Sequence, residues 1–184
     1  MYPPGLQPVA FIGGGAGSWK VDRMVAIAGE PLAHVEGLNI HPGHPAGING
    51  ASWMLRGVSG HLRYTERREK TLLDPISPPL DREEAHLAAL IPICKSPEWW
   101  ALTQDERRSV IEERSHHFVN GMRFLPRIAR RLYHSRDLGE PFDFLTWFEF
   151  SPEHAAAFDE LLALLRGQEE WGFVTREVEI RLSR

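Results

Sequence analysis

Two side chains thirteen positions apart, His117 and Arg130, are the ones whose types and settings call for chemistry. A histidine turned toward the inside of a fold can present a neutral ring nitrogen to a metal. An arginine set into an apolar strand face keeps its charge at any ordinary pH and needs an anion, a carboxylate or water opposite it. On a helical wheel of roughly 100° per residue, Val110, Ile111, His117, Phe118, Gly121 and Met122 fall on one side and His116 almost opposite. The wheel therefore selects His117 as the inward histidine. A hydrogen-bonded core histidine is the commoner outcome of such a pattern. Along Ile128–His134, Ile128, Arg130, Leu132 and His134 share one face, while Ala129, Arg131 and Tyr133 share the other. An ion pair from Arg130 to Glu149 or Asp143 across the following hairpin explains its position as well as a ligand anion does.

The elements that must position these residues occupy the second half. Leu87–Cys94 is an apolar run of strand length. Thr103 and Glu106 form a T-x-x-E capping box, which predicts a helix from there to about Gly121. Ile128–Ser135 and Phe144–Phe150 read as strands joined by a loop over 136–141. Ser151-Pro152-Glu153 starts a second helix, in which Phe158, Leu161, Leu162 and Leu165 repeat with helical spacing before Gly167. Trp171–Leu182 closes as a strand. The order β-α-β-β-α-β is ferredoxin-like, giving an α+β fold class. Phe144-Leu145-Thr146-Trp147-Phe148 is apolar on both faces, so the face without helices must meet a second sheet, a ligand, or both. The N-terminal half offers strands at Val9–Ile12 and Trp53–Leu62, and looks too short and loop-rich for a complete second copy. The Pro75–Pro79 stretch separates the halves, taken as 1–86 and 87–184.

Several classes are disfavoured. The 184 residues carry a formal net charge of −4, which argues against a nucleic-acid surface. A single cysteine, Cys94, excludes an intramolecular disulfide. No apolar run approaches a membrane span, and the start lacks the order of a secretory signal, so a cytoplasmic location is expected. Gly13-Gly14-Gly15-Ala16-Gly17 does not fit G-x-G-x-x-G and reads as a turn. His41 and His44 lack a third ligand, and Arg114 has no assigned partner.

Pro97-Glu98-Trp99-Trp100, Ser115-His116-His117, Arg130-Arg131-Leu132-Tyr133-His134-Ser135 and Asp143-Phe144-Leu145-Thr146-Trp147-Phe148-Glu149 together resemble the chlorite dismutase family of haem proteins. The likeness is to its short, dimeric branch, with a trimmed N-terminal half and a dimeric α+β barrel. The resemblance implies haem b between sheet and helix, His117 as the iron ligand, Glu170 as the acceptor for that histidine, and Arg130 as the catalytic residue. Leu132 would line a dry wall beside Arg130. Tyr64, Lys95, Trp99 and Trp100 match positions near the haem edge and propionates. The implied activity is conversion of chlorite to chloride and dioxygen, with chlorite as a small anionic substrate, by a homodimer that binds neither nucleic acid nor membrane. A coprohaem decarboxylase or haem peroxidase, and a non-catalytic haem-binding dimer, are the alternatives.

Overall fold

The computed structural model describes residues 5–60, 66–73 and 75–184. Eight antiparallel strands form one closed barrel in the order β1-β3-β2-β8-β5-β7-β6-β4. The N-terminal half supplies β1 (Gln7–Gly14), β2 (Trp19–Ala28), β3 (Gly37–Pro42) and β4 (Ala51–Ser59). The C-terminal half supplies β5 (Leu87–Lys95), β6 (Ile128–His134), β7 (Phe144–Phe150) and β8 (Val174–Ser183). The helices are α1 (Arg67–Leu73), α2 (Pro97–Ala101), α3 (Gln104–Arg108), α4 (His117–Met122) and α5 (Ala155–Arg166).

Strand alternation sorts the side chains into two cores. Phe11, Trp19, Leu38, Leu55, Leu90, Leu145, Trp147, Val178 and Ile180 fill the barrel. Ile91, Ile93, Phe144, Phe148 and Phe150 point outward and pack against Phe158, Leu161, Leu162 and Leu165 of α5. The two-faced apolar hairpin strand is thus explained: Trp147 goes inside the barrel and Phe148 goes outside. The second sheet expected there is not a separate one: the N-terminal strands continue the same sheet and close it into the barrel. Of its four strands, β2 and β3 escape a periodicity reading. Lys20, Asp22 and Arg23 break the apolar pattern of β2, and its pairing with β8 shifts register twice. Of the glycine run, Gly13 and Gly14 end β1, and Gly15, Ala16 and Gly17 lie in the turn to β2. At the β4–β6 seam Gly57 admits no side chain, because a Cβ there would lie 2.7 Å from that of Tyr133.

The helix expected over 103–121 is not continuous. The capping box forms, with the Glu106 carboxylate accepting from the Thr103 N–H at 2.7 Å and its hydroxyl at 2.8 Å. After α3 the chain widens into a π-helical turn, Ser109–Arg114, and then breaks at His116, whose φ of 50° is left-handed. A new helix, α4, begins at His117. The 100° wheel therefore does not run unbroken from Val110 to His117. The last strand is also shorter than expected, since Glu169–Phe173 forms a 3-10 turn ahead of β8.

Candidate functional site

Between the outward face of β5–β7–β6 and the segments α4 and α5 lie two adjoining cavities that open to the surface. His117, Phe118, Arg130, Ile93, Thr146 and Trp171 line both. Both residues singled out by type and spacing thus face one space. His117 gets there by the chain break rather than by continuous helical phase: the left-handed His116 redirects the backbone so that α4 starts on the cavity wall.

His117 is fixed through one ring nitrogen. Its Nδ1 lies 2.9 Å from Oε2 of Glu170, leaving Nε2 as the available nitrogen. Glu170 is itself held on three sides. Lys95 donates through Nζ to Glu170 Oε1 at 3.0 Å and to its carbonyl at 3.1 Å, and the Glu170 N–H donates to Ser115 Oγ at 3.0 Å. The hydrogen bond and charge of His117, together with Lys95, outweigh burial and hold the Glu170 carboxyl down at about 2. For Lys95 the balance is opposite: burial lowers its pKa against the pull of Glu170 and Asp143. The Lys95 ammonium also sits over the Trp99 ring at 4.5 Å.

Arg130 is enclosed by protein, yet it keeps substantial accessible surface because it projects into the cavity. Among the described residues it makes no hydrogen bond or ion pair. Glu149 and Asp143 do not pair with it. Glu149 faces the barrel interior, accepting from Trp147 Nε1 at 2.8 Å and from the Asp81 N–H at 2.6 Å. Asp143 accepts from the Lys95 N–H, Trp100 Nε1 and Arg136. Burial lowers the Arg130 pKa, opposed by the more distant Glu170 and Glu112 carboxylates. A guanidinium starts high enough to remain charged near neutrality.

The other expected site residues divide. Leu132, Lys95, Trp99 and Glu170 line the second cavity. Trp99 is 1% exposed, and its Nε1–H has no partner among the described residues. Trp100 lines neither cavity. Its indole donates to Asp143 at 3.1 Å and lies under Arg136 at 4.0 Å. Tyr64 falls outside the described residues. His41 and His44 build no metal site: His44 Nε2 is 3.0 Å from the Gly57 carbonyl, and no cluster of three or more His, Cys, Asp or Glu suited to a metal occurs among the described residues. Arg114 pairs with Glu169 at 2.6 Å.

Three residues were missed by pattern reading. Thr146, a small polar side chain opposite Leu132 in the β6–β7 pairing, faces both cavities. Glu69 lines the second cavity and is gripped by both arms of Arg108, tying α1 to α3. Glu112 lines the same cavity, and burial pushes its carboxyl up. No pattern marks Glu112, because its position depends on the π turn.

Comparison with known proteins gives concordant results. A family model described as chlorite dismutase matches residues 50–184. A curated chlorite dismutase of Ideonella dechloratans is 36% identical over 78 residues, 42% of this chain and 25% of the relative, so the match spans about a quarter of that protein's length. The crystal structure of dimeric chlorite dismutases from Nitrobacter winogradskyi superposes with a TM-score of 0.90 at 50% identity, covering 96% of this chain and 99% of that one. Chlorite dismutase from Candidatus Nitrospira defluvii, solved in complex with imidazole, shares the fold at 20% identity, with a TM-score of 0.68 over 98% of this chain and 92% of that one.

Proposed function

The chain belongs to the chlorite dismutase family, and from that membership we propose that it converts chlorite to chloride and dioxygen with haem b held in the two adjoining cavities. The observation that carries this reading is Arg130, a guanidinium with no ion partner among the described residues, directed into the same space as a histidine whose Nδ1 is already engaged. The walls suit haem b. Ile91, Ile93, Phe148, Leu161 and Leu162 offer apolar surface for the macrocycle, and His117 offers Nε2 to the iron. The orphaned Trp99 Nε1–H is a donor suited to an acidic side group. Lys95 serves the same site by holding Glu170, and Leu132 by excluding water. Trp100 braces Asp143, which in turn holds the backbone of Lys95.

When bound, haem iron supplies a redox-active Lewis acid at which an O–Cl bond can break. The protein's own residues do the rest. Glu170 holds the Nδ1–H of His117, which fixes the tautomer and makes Nε2 a stronger donor. Lys95 and the hydroxyl of Ser115 keep Glu170 from rotating away. Arg130 would attract chlorite by its permanent charge and hold the reacting anion in the cavity until chloride and dioxygen leave. Chlorite to chloride plus dioxygen conserves atoms and charge, so no proton donor is required. A permanently charged guanidinium suits that balance better than a titrating acid. Leu132, Phe144 and Thr146 line the same space as Arg130, and the apolar Leu132 and Phe144 side chains would limit water there.

The reading includes a homodimer, supported by the 50% identity to chlorite dismutases described as dimeric. It also includes the division into halves 1–86 and 87–184, each contributing four strands to the barrel, and a cytoplasmic location. No helix among the described residues is long and apolar enough to cross a membrane. An oxygen electrode tests the central step. Haem-loaded protein given chlorite should release dioxygen and chloride in equal amounts. Dioxygen release no greater than that of free haem would overturn the reading.

A further inference from the structure

We propose that Glu112 is a positioning residue for His117: its carboxylate caps the short helix that carries the ring, in place of any side chain at the helix start. The argument begins with the break at His116. A helix leaves its first N–H groups without internal partners, and the residue at the N-cap usually satisfies one of them with a side-chain oxygen. Here the N-cap is His116, which is in the left-handed conformation and makes no capping bond. The first-turn N–H of Phe118 turns instead to Glu112, at 3.1 Å from Oε1 and 3.3 Å from Oε2.

The carboxylate comes from six residues earlier, on the π turn. That turn closes through the Ser115 N–H donating to the Val110 carbonyl at 3.1 Å. One residue more per closed ring than in an α-helix displaces Glu112 toward the break. Without the π turn the side chain would lie on another face. The start of α4 is then clamped from both flanks. Glu112 holds the Phe118 backbone, while Glu170 holds the His117 ring and, through its own N–H, the Ser115 hydroxyl. Asn120 adds a further tie, donating through Nδ2 to the Ser115 carbonyl at 3.1 Å. The ring of His117 is thus oriented by Glu170, and its backbone by Glu112.

Other roles for Glu112 fit less well. It makes no ion pair within 4 Å among the described residues, and Arg108 is engaged with Glu69. A solvated surface acid would not lie in the cavity wall with both oxygens on one backbone N–H. The inference rests on the reading of His117 as the iron ligand, but the capping bond can be tested without haem.

The test uses Glu112→Ala and Glu112→Gln, with Glu113→Ala as a neighbouring control. In the haem-free protein, Glu112→Ala should speed exchange of the Phe118 amide hydrogen several-fold, while Glu112→Gln, whose amide oxygen can still accept, should preserve protection. In haem titrations, Glu112→Ala should weaken retention about fivefold, the scale of a lost cap, and should broaden or shift the Soret band. Glu112→Gln should restore affinity to within about twofold. Unchanged Phe118 exchange in Glu112→Ala would overturn the proposal, as would a Gln variant that behaves like Ala, since charge rather than capping would then be at work. Normal capping behaviour combined with a wild-type protein that binds no haem would instead sink the haem reading and leave the cap standing.

Discussion

At the scale of single residues, the site is a division of labour between one titratable pair and one permanent charge. Glu170 and His117 form a hydrogen-bonded couple that sets ring orientation, while Arg130 has no ion partner among the described residues. A guanidinium directed into a largely apolar cavity, with no carboxylate beside it among the described residues, suits a ligand anion. Arg130→Ala should keep haem, because His117 and the apolar walls are untouched, yet lose chlorite turnover by about a hundredfold or more, on the scale of a removed oxyanion donor. The same variant should leak oxidant. Stopped-flow with a chlorination trap checks this, and undiminished turnover with an unmarked trap would remove Arg130 from the mechanism. Arg130→Lys should recover part of the rate but not the retention, since an ammonium lacks the planar fork.

At the scale of elements, the break between the π turn and α4 is the feature that sets the site. His116 adopts a φ of 50°, a conformation that costs an L-residue roughly 1–2 kcal/mol and a β-branched one more. His116→Val should therefore lower unfolding stability by about 1–2 kcal/mol and reduce haem retention, whereas His116→Gly should stay close to the parent. Urea unfolding with parallel haem titration separates the two. A second element-level device anchors α5. Arg166 donates to Glu177 at 2.9 Å and to Glu179 at 2.7 Å, and Arg181 donates to Glu179 at 2.7 Å, all over the outer face of β8. Against the upward push of burial, Arg166 and Arg181 hold the Glu179 carboxyl below its ordinary value. With the folded pKa depressed, the unfolded chain binds more protons in acid. This contribution is complete above about pH 4.5 and is lost as pH falls through the folded value. The melting temperature should fall on acidification below that point. Arg166→Ala should cost about 3 kcal/mol at neutral pH, because the buried Glu177 loses its ion partner and Glu179 is left with Arg181, and should flatten the acid dependence. A pH series of thermal melts reads both effects; an unaltered acid slope in the variant would show that the network does not set it.

At the scale of the whole molecule, one closed barrel serves two cores, and the cavities lined by His117 and Arg130 lie outside it. Closing the sheet removes free edges, so β5–β7–β6 can devote its inner face to stability and its outer face to the site. The polar pair of Trp147 and Glu149 stays within the barrel, which keeps Glu149 from neutralising Arg130. For the assembly, sedimentation of the loaded protein should give about twice the 20.9 kDa chain mass. A concentration-independent monomer that is fully active would refute the dimer.

Much of this molecule can be read from the chain alone where physics is local. Alternation in Ile128–His134, the capping box at Thr103 and the helical repeat of Phe158, Leu161, Leu162 and Leu165 each depend on neighbours within a few residues, so the C-terminal strands, α5 and the strand face of Arg130 were legible, whereas His117 reaches the cavity through a chain break that the helical wheel does not contain. The chain of motifs from Trp99 to Glu149 pointed to the family as well. Tertiary structure alone decided the rest. Whether Arg130 meets Glu149 depends on which side of a closed barrel each side chain falls. Whether β2 is a strand depends on its partner β8 across the chain. And whether Glu112 can reach the Phe118 backbone depends on a π turn that no local preference announces. Those outcomes arise from contacts between residues far apart in sequence, or from strain that only the packed fold can hold in place.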